Sequence, residues 1–125
     1  MFGERTLVER FRQGSLDPAR FGHGDHLHVA WAMLGPEGMA FHEAYAAYRT
    51  GLVRLTQAAG VPGKFSETQT LGWLALVHEA LAATGEKSDF GSFESRTGLH
   101  RRSLLDRYPE GRLGAAETRT GLILP

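Results

Sequence analysis

Apolar residues recur at helical spacing along most of the chain. In 4–14, Leu7, Val8 and Phe11 stand among Glu4, Arg5, Glu9, Arg10 and Arg12, which predicts an amphipathic opening helix. Asp17-Pro18 and the glycines within 15–24 then break the period. Asp25 is the expected N-cap of a second helix, HLHVAWAML, stopped by Gly35-Pro36. The third and longest helix is expected over 37–59, with Phe41, Ala44, Tyr45, Tyr48, Leu52 and Leu55 as its stripe. Ser66, with Gln69 three residues later, predicts a capping box and a fourth helix over 67–83. The middle of that helix, LGWLALVHEALAA, is apolar nearly all round, so it is expected to be central. Shorter pieces are expected near 89–96 and 99–108, with a last turn over 115–120. Strict apolar–polar alternation never persists, so no strand is expected. The pattern therefore predicts an all-α fold: one compact domain over 1–125, five or six helices around a central apolar one. Trp73, Leu74 and Val77 should be mostly buried, and Arg49, Arg54 and Lys87 exposed.

Composition narrows the function more than the fold. The chain has 125 residues, 42% of them hydrophobic, which suffices for one core without disulfides or a structural metal. There is no cysteine, which removes disulfide scaffolds, zinc fingers and thiol nucleophiles together. Fourteen basic and fourteen acidic residues cancel, and six of each fall in the first sixty positions. No part of the chain carries the positive excess that nucleic-acid binding needs, so no nucleic-acid partner is expected. No apolar run approaches the ~20 residues of a membrane span, and MFGERTLVERFRQ lacks a signal-peptide core. A cytoplasmic protein without a membrane partner is the expectation. Sixteen glycines, nearly twice the usual share, favour short helices and tight connections.

The densest chemistry lies in Phe21-Gly22-His23-Gly24-Asp25-His26-Leu27-His28, which holds three of the six histidines. His23 and His26 are three residues apart at a helix entry, where both imidazoles can address one point. Neutral imidazole suits zinc, iron, nickel and copper, so a divalent first-row metal is the cofactor to look for. The competing reading makes them structural or surface groups. Glu67 is the second candidate. It heads the line Glu67, Leu71, Leu74, His78, Leu81 along an apolar face, where a carboxylate is either held by a partner or raised in pKa. Either state suits a general base or a metal ligand, although a first-turn glutamate also simply complements the helix dipole. Ser66, Thr68 and Thr70 stand beside it as candidate substrate-binding hydroxyls, with capping chemistry as the alternative. His78 lies roughly 16 Å beyond Glu67 along the axis and reads as a core histidine bonded to a carbonyl. His28, His42 and His100 read as solvated. HExxH, Gly-rich phosphate loops and GxSxG are absent, which argues against ATP hydrolysis, dinucleotide chemistry and a Ser-His-Asp hydrolase.

Phe21-x-His23-x-x-His26-Leu27-x-Val29-Ala30-Trp31, then Phe65-Ser66-Glu67-Thr68-x-Thr70, resembles a widespread family of small uncharacterised bacterial proteins. Its members look like F-x-H-x-D-H-[LV]-x-[VL]-A-[WF], then [YF]-H-E-T-x-T, then a tail with L-L-x-x-Y and R-L. Here the tail reads Leu104-Leu105-Asp106-Arg107-Tyr108 and Arg112-Leu113, and the likeness runs from about Ser15 to Pro125. The resemblance implies a site at His23, His26 and Glu67 and supplies no reaction. The chain departs from it at Ser66, where family members generally carry histidine, and that puts metal affinity or activity in doubt.

Two functions compete. One is an enzyme acting on a small polar substrate, with His23, His26 and Glu67 as catalytic groups or metal ligands in a crevice between helices two and four. The other is a non-catalytic bundle that binds a small ligand or a partner protein. Zero net charge makes a homodimer compatible with that reading. A helix-turn-helix DNA reader comes a distant third.

Overall fold

The computed structural model describes residues 4–125, without the side chains of Glu4 and Arg5. The expectation about the N-terminal stretch therefore rests partly on positions outside the described residues. Within them the chain is all-helical and has no strand. Six α-helices follow one another: α1 (Glu4–Gln13), α2 (His23–Leu34), α3 (Phe41–Ala58), α4 (Glu67–Thr84), α5 (Phe90–Thr97) and α6 (Glu117–Thr120). None is long and apolar enough to cross a membrane.

The opening helix buries Leu7, Val8 and Phe11, the three positions its pattern marked. Phe11 packs directly on the backbone of α3. A Cβ at Gly51 would stand 2.2 Å from the Phe11 ring, so only glycine allows this approach. The second helix starts earlier than expected. Gly22 is its N-cap, and Asp25 occupies the third helical position, where its carboxylate accepts from the Gly22 N–H at 3.0 Å. An acid at the third position caps the N-cap N–H, whereas an Asp N-cap would accept from an N–H two or three residues on; both place an acid at the helix start, which is why the two look alike in sequence. The correction places His23 inside the helix as its first residue.

Leu27 and every residue from Val29 to Leu34 are buried in α2, which packs on α1, α3, α4 and α5. Trp31, fully enclosed, donates its indole N–H to the Glu86 carbonyl at 2.9 Å. The fourth helix is less enclosed than expected: Leu74 and Val77 are fully buried and Trp73 half-buried, but Ala75, His78, Glu79, Ala82 and Ala83 face solvent. Burial on most sides thus belongs to α2. Arg49, Arg54 and Lys87 are exposed as expected. Ser66 caps α4 by accepting from the Gln69 N–H at 3.1 Å, and Gly85, left-handed at φ 67°, closes it.

Two further expectations need correction. The third helix begins at Phe41 because Gly38, at φ 63°, turns the chain first. The helix expected over 99–108 is only a 3-10 turn at Leu105–Arg107. A segment that short cannot offset the cost of helix nucleation without a long packed face. The tail then runs extended across the start of α4. Thr68 donates to the Gly121 carbonyl at 2.6 Å and accepts from the Ile123 N–H at 3.0 Å. Tyr108 donates to the Ile123 carbonyl at 2.7 Å, fastening the tail a second time.

Candidate functional site

Starting α2 at His23 puts His23 and His26 one turn apart on the side that faces α3 and α4. Both line a cleft of about 270 Å³, together with Tyr48 and Leu52 of α3, Lys64 and Phe65 of the connection, and Gln69 and Trp73 of α4. Ser66 and Thr70 also border it. The two candidate histidines and two of the three candidate hydroxyl residues are therefore brought together, across some forty residues of sequence.

Packing fixes the rings. His23 meets Trp73 edge to face at 4.8 Å, and His26 lies 4.7 Å from the Phe21 ring. Tyr48, fully enclosed, donates its hydroxyl to the His26 carbonyl at 3.2 Å and ties the start of α2 to α3. Among the described residues neither imidazole makes a hydrogen bond, and the Nε2 atom of His23 is buried without a partner. Burial pushes the His26 pKa down to about 4, with neighbouring His23 adding to the effect and Asp25 opposing it. Burial also lowers His23, helped by Arg101 and His100 and opposed by Glu94. Both rings are neutral at pH 7.

Glu67 does not join them. It lines a neighbouring cleft of about 540 Å³ with Arg49 and Arg119, and Phe65 and Thr56 border both clefts. The Arg49 Nε donates to both carboxylate oxygens at 2.8 and 2.9 Å, and Nη2 donates at 2.7 Å. The Tyr45 hydroxyl donates to the same carboxylate. The Arg49 hydrogen bonds hold the Glu67 pKa below the usual carboxylate range, while burial and then Glu67 push Tyr45 up to about 12. Arg49 also lies over the Phe65 ring, 5.3 Å from its centroid.

This geometry corrects the metal expectation. Among the described residues no three His, Asp or Glu side chains are placed to hold a metal ion, so His23, His26 and Glu67 do not form a ligand set. The carboxylate's lone pairs go to a guanidinium and a phenol on α3 instead. Thr68 is corrected too: it is fully buried, and its hydroxyl anchors the tail. The Ser66 and Thr70 side chains border the cleft but spend their protons on the fold, donating to the Thr118 and Ser66 carbonyls at 3.0 and 2.7 Å. His78 is no core histidine. It is exposed, and its ring meets Phe41 at 5.3 Å. His28 is half-buried and stacks on Phe90 at 4.4 Å, while His42 and His100 are exposed as expected.

Sequence reading missed Lys64, Gln69 and Tyr48 as cleft residues, and Arg49 and Tyr45 as the partners of Glu67. The last pair carried a usable signal. Tyr45 and Arg49 are four apart on one helix face, a spacing that lets both address one group. Compared with known families, with curated proteins and with solved structures, the chain matches none.

Proposed function

We propose that the cleft at His23 and His26 is a binding site for a small polar molecule. The observation that carries this reading is a pair of imidazoles, free of hydrogen bonds among the described residues, on the wall of a cleft of about 270 Å³. Leaving a buried polar atom such as His23 Nε2 unsatisfied costs about 1–3 kcal/mol, a cost that a bound molecule relieves. Two neutral rings offer one donor and one acceptor apiece, Gln69 adds an amide, and Trp73 and Phe65 supply apolar walls. The motif likeness to small bacterial proteins points to the same two histidines.

Binding fits this geometry better than general-base catalysis. A base works best with a pKa near the operating pH, and His26 at about 4 is a weak proton acceptor at neutrality. Glu67, the carboxylate that the sequence offered to strengthen it, is committed to Arg49. The enzyme reading would need that pairing to break.

The test is a fragment titration of histidine-labelled protein followed by imidazole nitrogen spectra at pH 7. Small polar fragments should shift the His23 and His26 signals saturably and leave those of exposed His42 and His78 unmoved. Fragments that move only the exposed histidines, or none at all, would contradict the proposal.

A further inference from the structure

The charges around the cleft select the kind of molecule. No aspartate or glutamate lines it. Lys64 stands exposed on its border and forms no ion pair among the described residues. The first turns of two helices open onto it: His23 and His26 come from the start of α2, and Ser66 and Gln69 from the start of α4. Helix starts carry a positive partial charge, and these helices run 12 and 18 residues. Each has an acid in its first turn, but both acids face elsewhere. Asp25 accepts from Gly22 and lines a different hollow beside Arg10, and Glu67 is held by Arg49. Arg101 and His100, beyond α5, act on His23 in the same positive sense and Glu94 opposes them, while the Asp25 charge still reaches His26 in the negative sense. Positive groups thus outnumber negative ones around the cleft, and one buried nitrogen on its wall, His23 Nε2, is unsatisfied among the described residues. Its remaining wall includes Leu52, Phe65 and Trp73, apolar side chains in a cleft of about 270 Å³.

We propose that this cleft takes a small carboxylate anion with a ring-sized apolar body, a step that rests on the cleft being the binding site. The carboxylate accepts from imidazole N–H groups and from the Gln69 amide, with Lys64 at its outer edge, while the body packs between Phe65 and Trp73. Hydrogen bonds to an ionised acceptor are about twice as strong as neutral ones, which is where discrimination against an uncharged analogue arises.

Three probes of one shape test it: benzoate, benzamide and benzylamine, titrated into the full chain at pH 7 while the histidine signals are followed. Benzoate should shift His23 and His26 saturably and bind at least ~tenfold more tightly than benzamide, with benzylamine not binding. Lys64→Gln, an exposed change that leaves the core intact, should weaken benzoate up to about fivefold and leave benzamide unchanged. Benzamide binding as well as benzoate would overturn the anion and leave the cleft as a site. If polar fragments shift the two histidines and none of the ring probes does, the ring-sized body is wrong. No response of His23 and His26 to any molecule would overturn both readings.

Discussion

The two clefts share Phe65 and Thr56 as a common border, yet they hold their polar groups in opposite ways. On one side Glu67 receives three hydrogen bonds from Arg49 and a fourth from Tyr45, and its side chain keeps only 19% of its exposure. On the other side neither His23 nor His26 has gained a hydrogen-bond partner among the described residues, and the His23 Nε2 atom has lost water as well. The first arrangement contributes stability. The second costs it, which is what a site waiting for a ligand does. Polarity and burial alone do not separate a structural group from a functional one; what separates them is whether the chain itself completes the hydrogen bonds.

The largest expected effect comes from acid. His26 has a native pKa of about 4 against an ordinary value of about 6.5, so the unfolded chain binds more protons between those limits. Stability should fall as pH drops through that window, by about 2–3 kcal/mol at pH 4.5, with His23 acting in the same direction. Glu67 behaves differently. Its lowered pKa contributes stability above the unfolded carboxylate value of about 4.3 and loses it only in stronger acid. Urea titrations at pH 7 and 4.5 should show the loss in the native chain and little of it in His26→Gln. An equal loss in that variant would place the acid sensitivity elsewhere.

Thr68→Val sharpens the contrast within the second motif. Losing the bonds to Gly121 and Ile123 should cost about 1–2 kcal/mol and speed exchange of the Ile123 amide. Benzoate binding should survive, because Thr68 does not line the histidine cleft. A loss of binding at unchanged stability would return Thr68 to the substrate-binding group. The smallest stability effect is expected at Gln69, whose exposed side chain makes no bond among the described residues. Gln69→Ala should change stability by less than about 0.5 kcal/mol while weakening benzoate about threefold to tenfold.

Much of this was legible in the chain. Leu7, Val8 and Phe11 marked α1, the Tyr48–Leu52 stripe marked α3, and Ser66 marked the start of α4, because local periodicity and capping are written in neighbouring residues. The meeting of His23 with His26 was legible for the same reason, being one helical turn. The fate of Glu67 was not. Its partners come from α3, and which face of α3 meets α4 is decided by Tyr48, by Leu52 and by the Phe11 ring seated on Gly51. His78 was misread similarly: it follows the apolar line of α4, but α3 reaches it only with Phe41, its first residue. Residues 99–108 carried helix-like spacing too short to hold a helix.

The division of labour between the clefts can be tested in one denaturation experiment at pH 7, comparing Glu67→Gln with His26→Gln. Glu67→Gln should lose about 1–2 kcal/mol, the worth of a charge-assisted pair discounted for the exposure of Arg49. His26→Gln should stay within about 0.5 kcal/mol of the native chain or exceed it, since Tyr48 bonds only its backbone carbonyl and the neutral ring satisfies no one. The reverse outcome, a stable Glu67→Gln beside a weakened His26→Gln, would make the histidines the structural pair and Glu67 the candidate for function.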